Sequence, residues 1–262
     1  MMRPKEQLGA LVREAGDVFT VCSAASALGI SSIETAKTLA RWTKQGWLTR
    51  VRRGLYAVVP IEAADTKQAL EDAWIIIPEL FSPCYVGGWS AAEHWDLTEQ
   101  LFRDICVLTE KQVMHKKQEI HNIPFMLTHI PQAMNFGTKT VWKKDKKIQV
   151  SDPHKTILDM LHTPQLGGGI QHIIDCFREY VKSSHYNPEQ LMAYAIKMNN
   201  GAVFKRLGFL SSKIIGENEA ITKQCHEHLT KGNACIDPSL KEGKLVAYWR
   251  LIVPANLQLQ GS

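Results

Sequence analysis

The first fold element is encoded by residues 20–58, with the sequence TVCSAASALGISSIETAKTLARWTKQGWLTRVRRGLYAV. Small and apolar residues predict a first helix, and Gly29-Ile30-Ser31 predicts a tight turn before a second helix over 33–46. Two β-prone runs flank a Gly-containing turn and predict a short hairpin over 47–58. Helix, turn, helix and hairpin in this order predict a winged helix-turn-helix, a fold element whose second helix commonly enters the major groove of DNA.

Positive charge is concentrated in the same part of the chain. The first 60 residues contain nine Lys and Arg and four Asp and Glu, whereas the other 202 residues contain 22 of each kind. Residues 37–54 contain six basic residues and no acidic one. Such a cluster supplies the sequence-independent attraction to phosphate on which DNA binding rests. A solvated basic surface would explain the charge alone, but its coincidence with the winged helix favours DNA binding.

Helical periodicity divides the second helix into two faces, at about 100° per residue. The predicted packing face consists of Ile33, Ala36, Leu39, Ala40 and Thr43. The predicted outward face consists of Glu34, Lys37, Thr38, Arg41, Lys44 and Gln45, with Thr35 and Trp42 on its flank. Ser31 or Ser32 is expected to cap this helix and Gly46 to end it.

Two groups of DNA contacts follow from this orientation. The N-terminal part of a recognition helix meets the base edges, where Arg suits guanine and Glu can accept a hydrogen bond from cytosine. The candidate base-reading residues are Ser32, Glu34, Thr35, Thr38 and Arg41. The candidate phosphate contacts, on the helix and on the wing, are Lys37, Lys44, Arg50, Arg52 and Arg53. The alternative interpretation is a winged helix that binds protein.

A domain boundary is predicted near Pro60, where the sign of the charge reverses. Residues 61–100 contain eight acidic residues and one lysine. We therefore expect a winged-helix domain over 1–60, a larger domain over 61–255 and a flexible tail over 256–262.

The larger domain is predicted to mix strands and helices. It should open with a helix over Ala63–Ile77. The expected strands span 104–109, 123–129, a hairpin over 139–150 with its tip at 143–147, and a last strand over 244–253. The expected helices span 153–162, 169–184, 188–199, 200–211 and 217–229. Strands followed by helices indicate an α+β fold with a helical C-terminal half.

Several segments resemble the AbiEi family of antitoxins, which are transcriptional regulators of bacterial abortive-infection toxin–antitoxin systems. The segments are 46–58 in the wing, followed in order by 85–99, 151–159, 167–170 and 202–210. One departure is His154-Lys155, where an arginine-threonine pair is expected more often. The resemblance implies a winged helix that binds operator DNA of its own operon, and a C-terminal domain that counters a cognate nucleotidyltransferase-like toxin.

Catalytic and metal-binding motifs are weak in this sequence. His94 lies among packing positions of a predicted helix and is better explained as structural. The glycine run 167–169 lacks the Gly-Lys-Ser/Thr that completes a phosphate loop. Cys225, His228 and Cys235 match no standard zinc-ligand spacing. We therefore expect a protein that is not an enzyme and that holds no cofactor or metal.

Cysteine usage and hydropathy bear on the compartment. The six cysteines have no paired spacing, and the chain has no run of 18 apolar residues. Both features favour a cytoplasmic protein with reduced thiols and no membrane partner. Two rival functions stay open: a stand-alone winged-helix regulator whose second domain binds a ligand or dimerises, and a DNA-targeted nuclease. The nuclease is disfavoured because no constellation of carboxylates and a lysine is evident.

Overall fold

The structure is a computed structural model that describes residues 3–59, 73–120, 123–143, 146–240 and 242–259. The chain divides into two compact units. The first comprises 1–84, 109–129 and 140–149, and the second comprises 85–108, 130–139 and 150–262. The α+β class, with an N-terminal winged helix and a helical C-terminal half, is confirmed.

The winged helix consists of three helices and a three-stranded antiparallel sheet. Its elements are α1 (Pro4–Ala15), β1 (Val18–Thr20), α2 (Val21–Leu28), α3 (Ser32–Lys44), β2 (Leu48–Arg52) and β3 (Leu55–Val58). The sheet order is β1-β3-β2, with Phe19 opposite Tyr56 and Thr49 opposite Ala57. Neither α1 nor β1 has a strong signal in the sequence, because α1 has a single fully buried residue, Leu11, and β1 is three residues long.

A small apolar core holds these elements together. Its buried members are Leu11, Phe19, Ala24, Leu39, Trp42, Leu48 and Tyr56. The indole of Trp42 is fully buried, and its ring centroid lies 6.4 Å from that of Trp47 at the start of the hairpin. Because α3 contributes both Leu39 and Trp42 to this core, packing fixes the rotation of α3 about its own axis.

The segment after the winged helix is only partly described. The boundary predicted near Pro60, and most of the helix expected over Ala63–Ile77, lie outside the described residues. The description resumes with a 3₁₀ turn (Ala73–Ile76) and a short helix, α4 (Ile77–Phe81).

Six strands form one sheet with the order β6-β7-β5-β4-β9-β8. They are β4 (Cys84–Val86), β5 (Ile105–Thr109), β6 (Lys117–Ile120), β7 (Ile123–His129), β8 (Thr138–Lys143) and β9 (Lys146–Ser151). Strands β5 and β7 confirm two predictions. Strands β8 and β9 are longer than the predicted hairpin strands, and positions 144 and 145 of its tip lie outside the described residues.

The helical half of the chain matches its prediction closely. The helices are α5 (Gly88–His94), α6 (Pro153–His162), α7 (Ile170–Lys182), α8 (Pro188–Met198), α9 (Gly201–Ile214) and α10 (Ala220–Glu227). The last five confirm the predicted helices over 153–229, with ends that differ by at most three residues. Their apolar faces enclose the core of the second unit, in which Ile157, Phe177 and Leu207 are fully buried.

The single strand predicted over 244–253 is wrong. The chain forms β11 (Lys244–Val246), a 3₁₀ turn (Ala247–Trp249) and β12 (Leu251–Val253), and the two strands pair antiparallel. Arg250 permits the reversal by adopting a left-handed conformation, with φ of 50°. The turn contains no Gly, Pro or Asn, so the sequence offers no signal for it. With β10 (Ala234–Cys235), the sheet order is β10-β12-β11.

The last described residues differ from the flexible tail expected over 256–262. Leu257 and Leu259 pack against the core of the second unit. The Gln258 backbone N–H donates to Gln171 Oε1 over 3.3 Å, and Gln171 Nε2 donates to the Gln258 carbonyl over 3.1 Å. Residues 257–259 therefore pack on the second unit, and Gln258 is bonded to α7, whereas 260–262 lie outside the described residues.

Polar side chains organise the start of α6. Asp152 caps the helix by accepting from the Lys155 N–H over 2.8 Å, and it also accepts from the Tyr194 hydroxyl over 3.0 Å. The Nδ1 atom of His154 lies 2.7 Å from the Tyr180 hydroxyl oxygen. Burial lowers the pKa of His154. These polar groups are satisfied within the second unit, so this segment has a structural role.

A buried ion pair lies one turn further along α6. Lys155 Nζ contacts Asp159 Oδ1, and the two side chains are 0% and 3% exposed. The Tyr85 hydroxyl donates to Asp159 Oδ2 over 2.9 Å and accepts from Lys155 Nζ over 2.9 Å. Burial and the negative charge of Asp159 raise the pKa of Tyr85. The three groups satisfy one another, which compensates for the cost of placing two charges in the interior.

The substitution Lys155→Met should lower the free energy of unfolding by about 3–5 kcal/mol, because it leaves Asp159 buried without its cation. Urea unfolding of the full chain measures this loss. The matched control is Lys182→Met, which removes an exposed pair with Glu179 and should cost less than about 1 kcal/mol. Equal losses for the two variants would contradict the structural role of the buried pair.

Candidate nucleic-acid interface

The two ends of α3 are set by local hydrogen bonds. Ser31, and not Ser32, is the N-cap: its hydroxyl accepts from the Glu34 N–H over 3.2 Å and donates to Glu34 Oε2 over 3.0 Å. At the other end, Gln45 is the C-cap and Gly46 has φ of 73°, a conformation that favours glycine. Ser32 is therefore the first residue of the recognition helix, and it is exposed.

The packing face of α3 differs from the predicted one, although Glu34, Lys37, Arg41, Lys44 and Gln45 are exposed as predicted. Leu39 and Trp42 are fully buried, whereas Ile33 is 72% exposed and Ala40 is also exposed. The predicted packing face is therefore wrong for Ile33 and Ala40. The reason is the size of Trp42: burying one indole removes far more apolar surface from water than burying alanines does.

The prediction that Thr35 reads a base is wrong. Its side chain is fully buried, and its hydroxyl donates to the Ser31 carbonyl over 2.9 Å. A group held in this way cannot reach a base edge. Of the other candidates, Ser32, Glu34 and Arg41 are exposed and Thr38 is half-buried, and their contact with DNA stays a prediction.

The wing presents its arginines away from the core. Arg50 and Arg52 occupy the exposed positions of β2, in alternation with buried neighbours. Arg53 is exposed in the turn, which Gly54 closes with φ of 84°. The Gly54 carbonyl accepts from the N–H of Val21, the first residue of α2, over 3.1 Å. This bond ties the wing turn to the helix-turn-helix.

Together, α3 and the wing expose six cationic side chains. They are Lys37, Arg41, Lys44, Arg50, Arg52 and Arg53. The one acidic residue of α3, Glu34, lies at the start of the helix, where its carboxylate is bonded to the Ser31 hydroxyl. This surface is suited to a polyanion, since clustered Lys and Arg neutralise phosphates and release counterions.

Other polar candidates from the sequence lie in packed surroundings. Cys225 is fully buried beside Met192, and the His228 ring stacks on Phe204 with centroids 4.7 Å apart. The His94 ring packs edge-on against its neighbour in the chain, Trp95. In the part of the chain that the structure describes, no three His, Cys, Asp or Glu side chains converge in a way that could hold a metal.

All six cysteines are free thiols. Among the helices within the described ranges, none has both the length and the apolar composition needed to cross a bilayer.

Comparison with known proteins gives a family match over the N-terminal segment. Residues 6–59 match the family described as "Transcriptional regulator, AbiEi antitoxin", which confirms the resemblance for this N-terminal segment. Among solved structures, the chain is similar to the RV2827C protein from Mycobacterium tuberculosis, with a TM-score of 0.59 and 13% identity over 95% of this chain and 89% of that one. That likeness supports the fold over nearly the whole chain. Curated proteins give no match.

The rotation of α3 can be tested by charge. Thr35→Glu should lower the free energy of unfolding by more than about 2 kcal/mol, because it places a carboxylate at a fully buried position. Lys37→Glu, two residues further on the exposed face, should change it by less than about 0.5 kcal/mol. Urea unfolding combined with hydrogen exchange of the α3 amides provides the measurement. If Thr35→Glu left the free energy of unfolding unchanged, α3 would have to present Thr35 to solvent, which would contradict the structure.

Proposed function

We propose that this protein is a DNA-binding antitoxin that represses its own toxin–antitoxin operon through the winged helix. In this proposal, the chain from residue 61 onward counters a nucleotidyltransferase-like toxin, and the protein acts in the cytoplasm without catalysis. The observation that carries the proposal is the exposed cationic surface of α3 and the wing, in a segment that matches the AbiEi regulator family.

DNA recognition divides between the two exposed elements. The N-terminal turns of α3 enter the major groove, where Ser32, Glu34 and Arg41 face the base edges. Lys37 and Lys44 contact phosphates on either side of the groove. The wing arginines contact the neighbouring backbone or enter the minor groove, where Arg is favoured. Affinity therefore depends strongly on salt, and sequence preference depends on α3.

The antitoxin half of the proposal is supported by the description of the family that residues 6–59 match. A second support is the resemblance that the sequence of the segments beyond the wing bears to the same family. The structure contributes one constraint. Within the resembling segment 151–159, Asp152, Lys155 and Asp159 are buried and bonded internally. These three residues therefore shape the second unit, and toxin recognition falls to its exposed side chains.

The deciding experiment is a mobility shift of the full chain on its own upstream region, with unrelated competitor DNA and a salt titration. Sequence-specific binding supports repression. A full-length variant with Arg52→Glu and Arg53→Glu controls for binding elsewhere on the protein and should lose most of the affinity. Equal affinity for upstream and unrelated DNA would overturn the repressor half.

The antitoxin half needs a separate test. Growth arrest caused by expressing the neighbouring nucleotidyltransferase-like gene should be relieved by co-expressing this chain. The same wing variant should still relieve the arrest if neutralisation does not use DNA. A gene neighbourhood without such a toxin, together with specific DNA binding, would favour a stand-alone regulator.

Arg41→Ala should weaken binding to the specific site by about 1–3 kcal/mol and relax one base preference, because it removes a base-edge contact. Fluorescence anisotropy on the specific site and on its single-base variants measures both effects. An equal loss on specific and random DNA would show that Arg41 contacts phosphate.

Arg52→Ala and Arg53→Ala should each weaken binding to all DNA sequences to a similar extent. Each should also reduce the slope of log affinity against log salt by about one, since one phosphate contact is lost. Titrations at several salt concentrations provide the slopes. Unchanged slopes would place both wing arginines away from the DNA.

A further inference from the structure

An isoleucine occupies the place in α3 where a base-reading side chain is expected. Ile33 is the second residue of the helix and is 72% exposed. Within the described part of the winged helix, Ile30 and Ile33 are the exposed large apolar residues, and Ile30, at 38%, precedes the helix. Ile33 is absent from the buried core of this unit, so its apolar side chain does not serve the packing of the domain.

Ile33 lies on the exposed face of α3. Ile33, Lys37, Ala40 and Lys44 are spaced by three or four residues, so they form one row along α3. All four are exposed, whereas Leu39 and Trp42 lie on the opposite, buried side. Ile33 is thus the N-terminal end of the row that faces away from the core.

The chemistry of the major groove offers this residue one apolar partner. The edges of guanine, cytosine and adenine present hydrogen-bond donors and acceptors, and only thymine adds a methyl group, at C5. The N-terminal residues of a recognition helix are those that approach the base edges. Because Ile33 cannot form a side-chain hydrogen bond, it can distinguish bases only by apolar contact with the thymine methyl group.

We propose that Ile33 is a specificity-determining residue that reads thymine, by packing its side chain against the C5 methyl of one or two thymines in the operator. The inference rests on the proposed DNA-binding function and deepens it. Flanking Ile33 in the chain, Ser32 and Glu34 would then read the polar edges of adjacent base pairs. The operator is expected to contain a thymine at a fixed position relative to the bases read by Arg41.

Uracil in place of thymine tests this contact, because it removes the methyl group and leaves the hydrogen-bonding edge unchanged. The probe is a duplex from the upstream region in which each thymine is replaced, one at a time, by deoxyuridine. For the full-length wild-type protein, one or two replacements should weaken binding by about fourfold each, the value of one buried methyl group. The Ile33→Ser variant should bind the thymine and uracil duplexes equally at those positions.

A matched control uses Ile196→Ser, a substitution of another exposed isoleucine, on α8. This variant should keep the wild-type response to uracil. Both substitutions are at exposed positions, and equal thermal unfolding temperatures would confirm that neither perturbs the fold.

The outcomes separate the inference from the function on which it rests. If the wild type binds its site specifically but Ile33→Ser keeps the full response to uracil, the thymine contact is overturned and the DNA-binding function stands. Specific binding without a response to uracil at any position overturns it in the same way. If the wild type binds no sequence specifically, the repressor proposal fails, and this inference fails with it.

Discussion

The burial of one indole determines which side chains the winged helix offers to a partner. Trp42 is the largest side chain that α3 buries in the core. Together with Leu39, it fixes the rotation of α3 about its own axis. The set of side chains on the exposed face depends on that rotation. Thr35 lies on the buried side and Ile33 on the exposed side, because the orientation that buries Trp42 removes the most apolar surface from water. The surface chemistry of α3 is therefore a consequence of its packing.

Much of the fold could be predicted from the sequence, since the helices of the C-terminal half and the wing hairpin have strong periodic or turn signals. The rotation of α3 could not be predicted, because several of its apolar residues are small. A count of apolar positions gives Ala36 or Ala40 the same weight as Trp42. Residue types predicted the cationic candidates correctly as exposed. The prediction for Thr35 was wrong because the hydroxyl of a threonine one turn after the N-cap can donate to the N-cap carbonyl, which lets the side chain remain buried.

Charged residues serve different ends in the two units. On α3 and the wing, exposed cations create a long-range electrostatic field that attracts a polyanion. In the second unit, Lys155 and Asp159 are enclosed, and Tyr85 completes their hydrogen bonds. Such a group tolerates few changes, because removing any member leaves the others unsatisfied in the interior. Segment 151–159 thus contributes polar side chains to the interior of the unit, where they have a structural role.

The hydrogen bond between the Gly54 carbonyl and the Val21 N–H has a geometric consequence for recognition. It ties the wing turn to α2, which shares an apolar core with the recognition helix α3. In the proposed complex with DNA, the distance between the helix contact and the wing contact along the duplex is therefore set by the protein. DNA whose groove spacing does not match must bend or twist to satisfy both contacts. Sequence-dependent stiffness could then be selected at base pairs that no side chain touches.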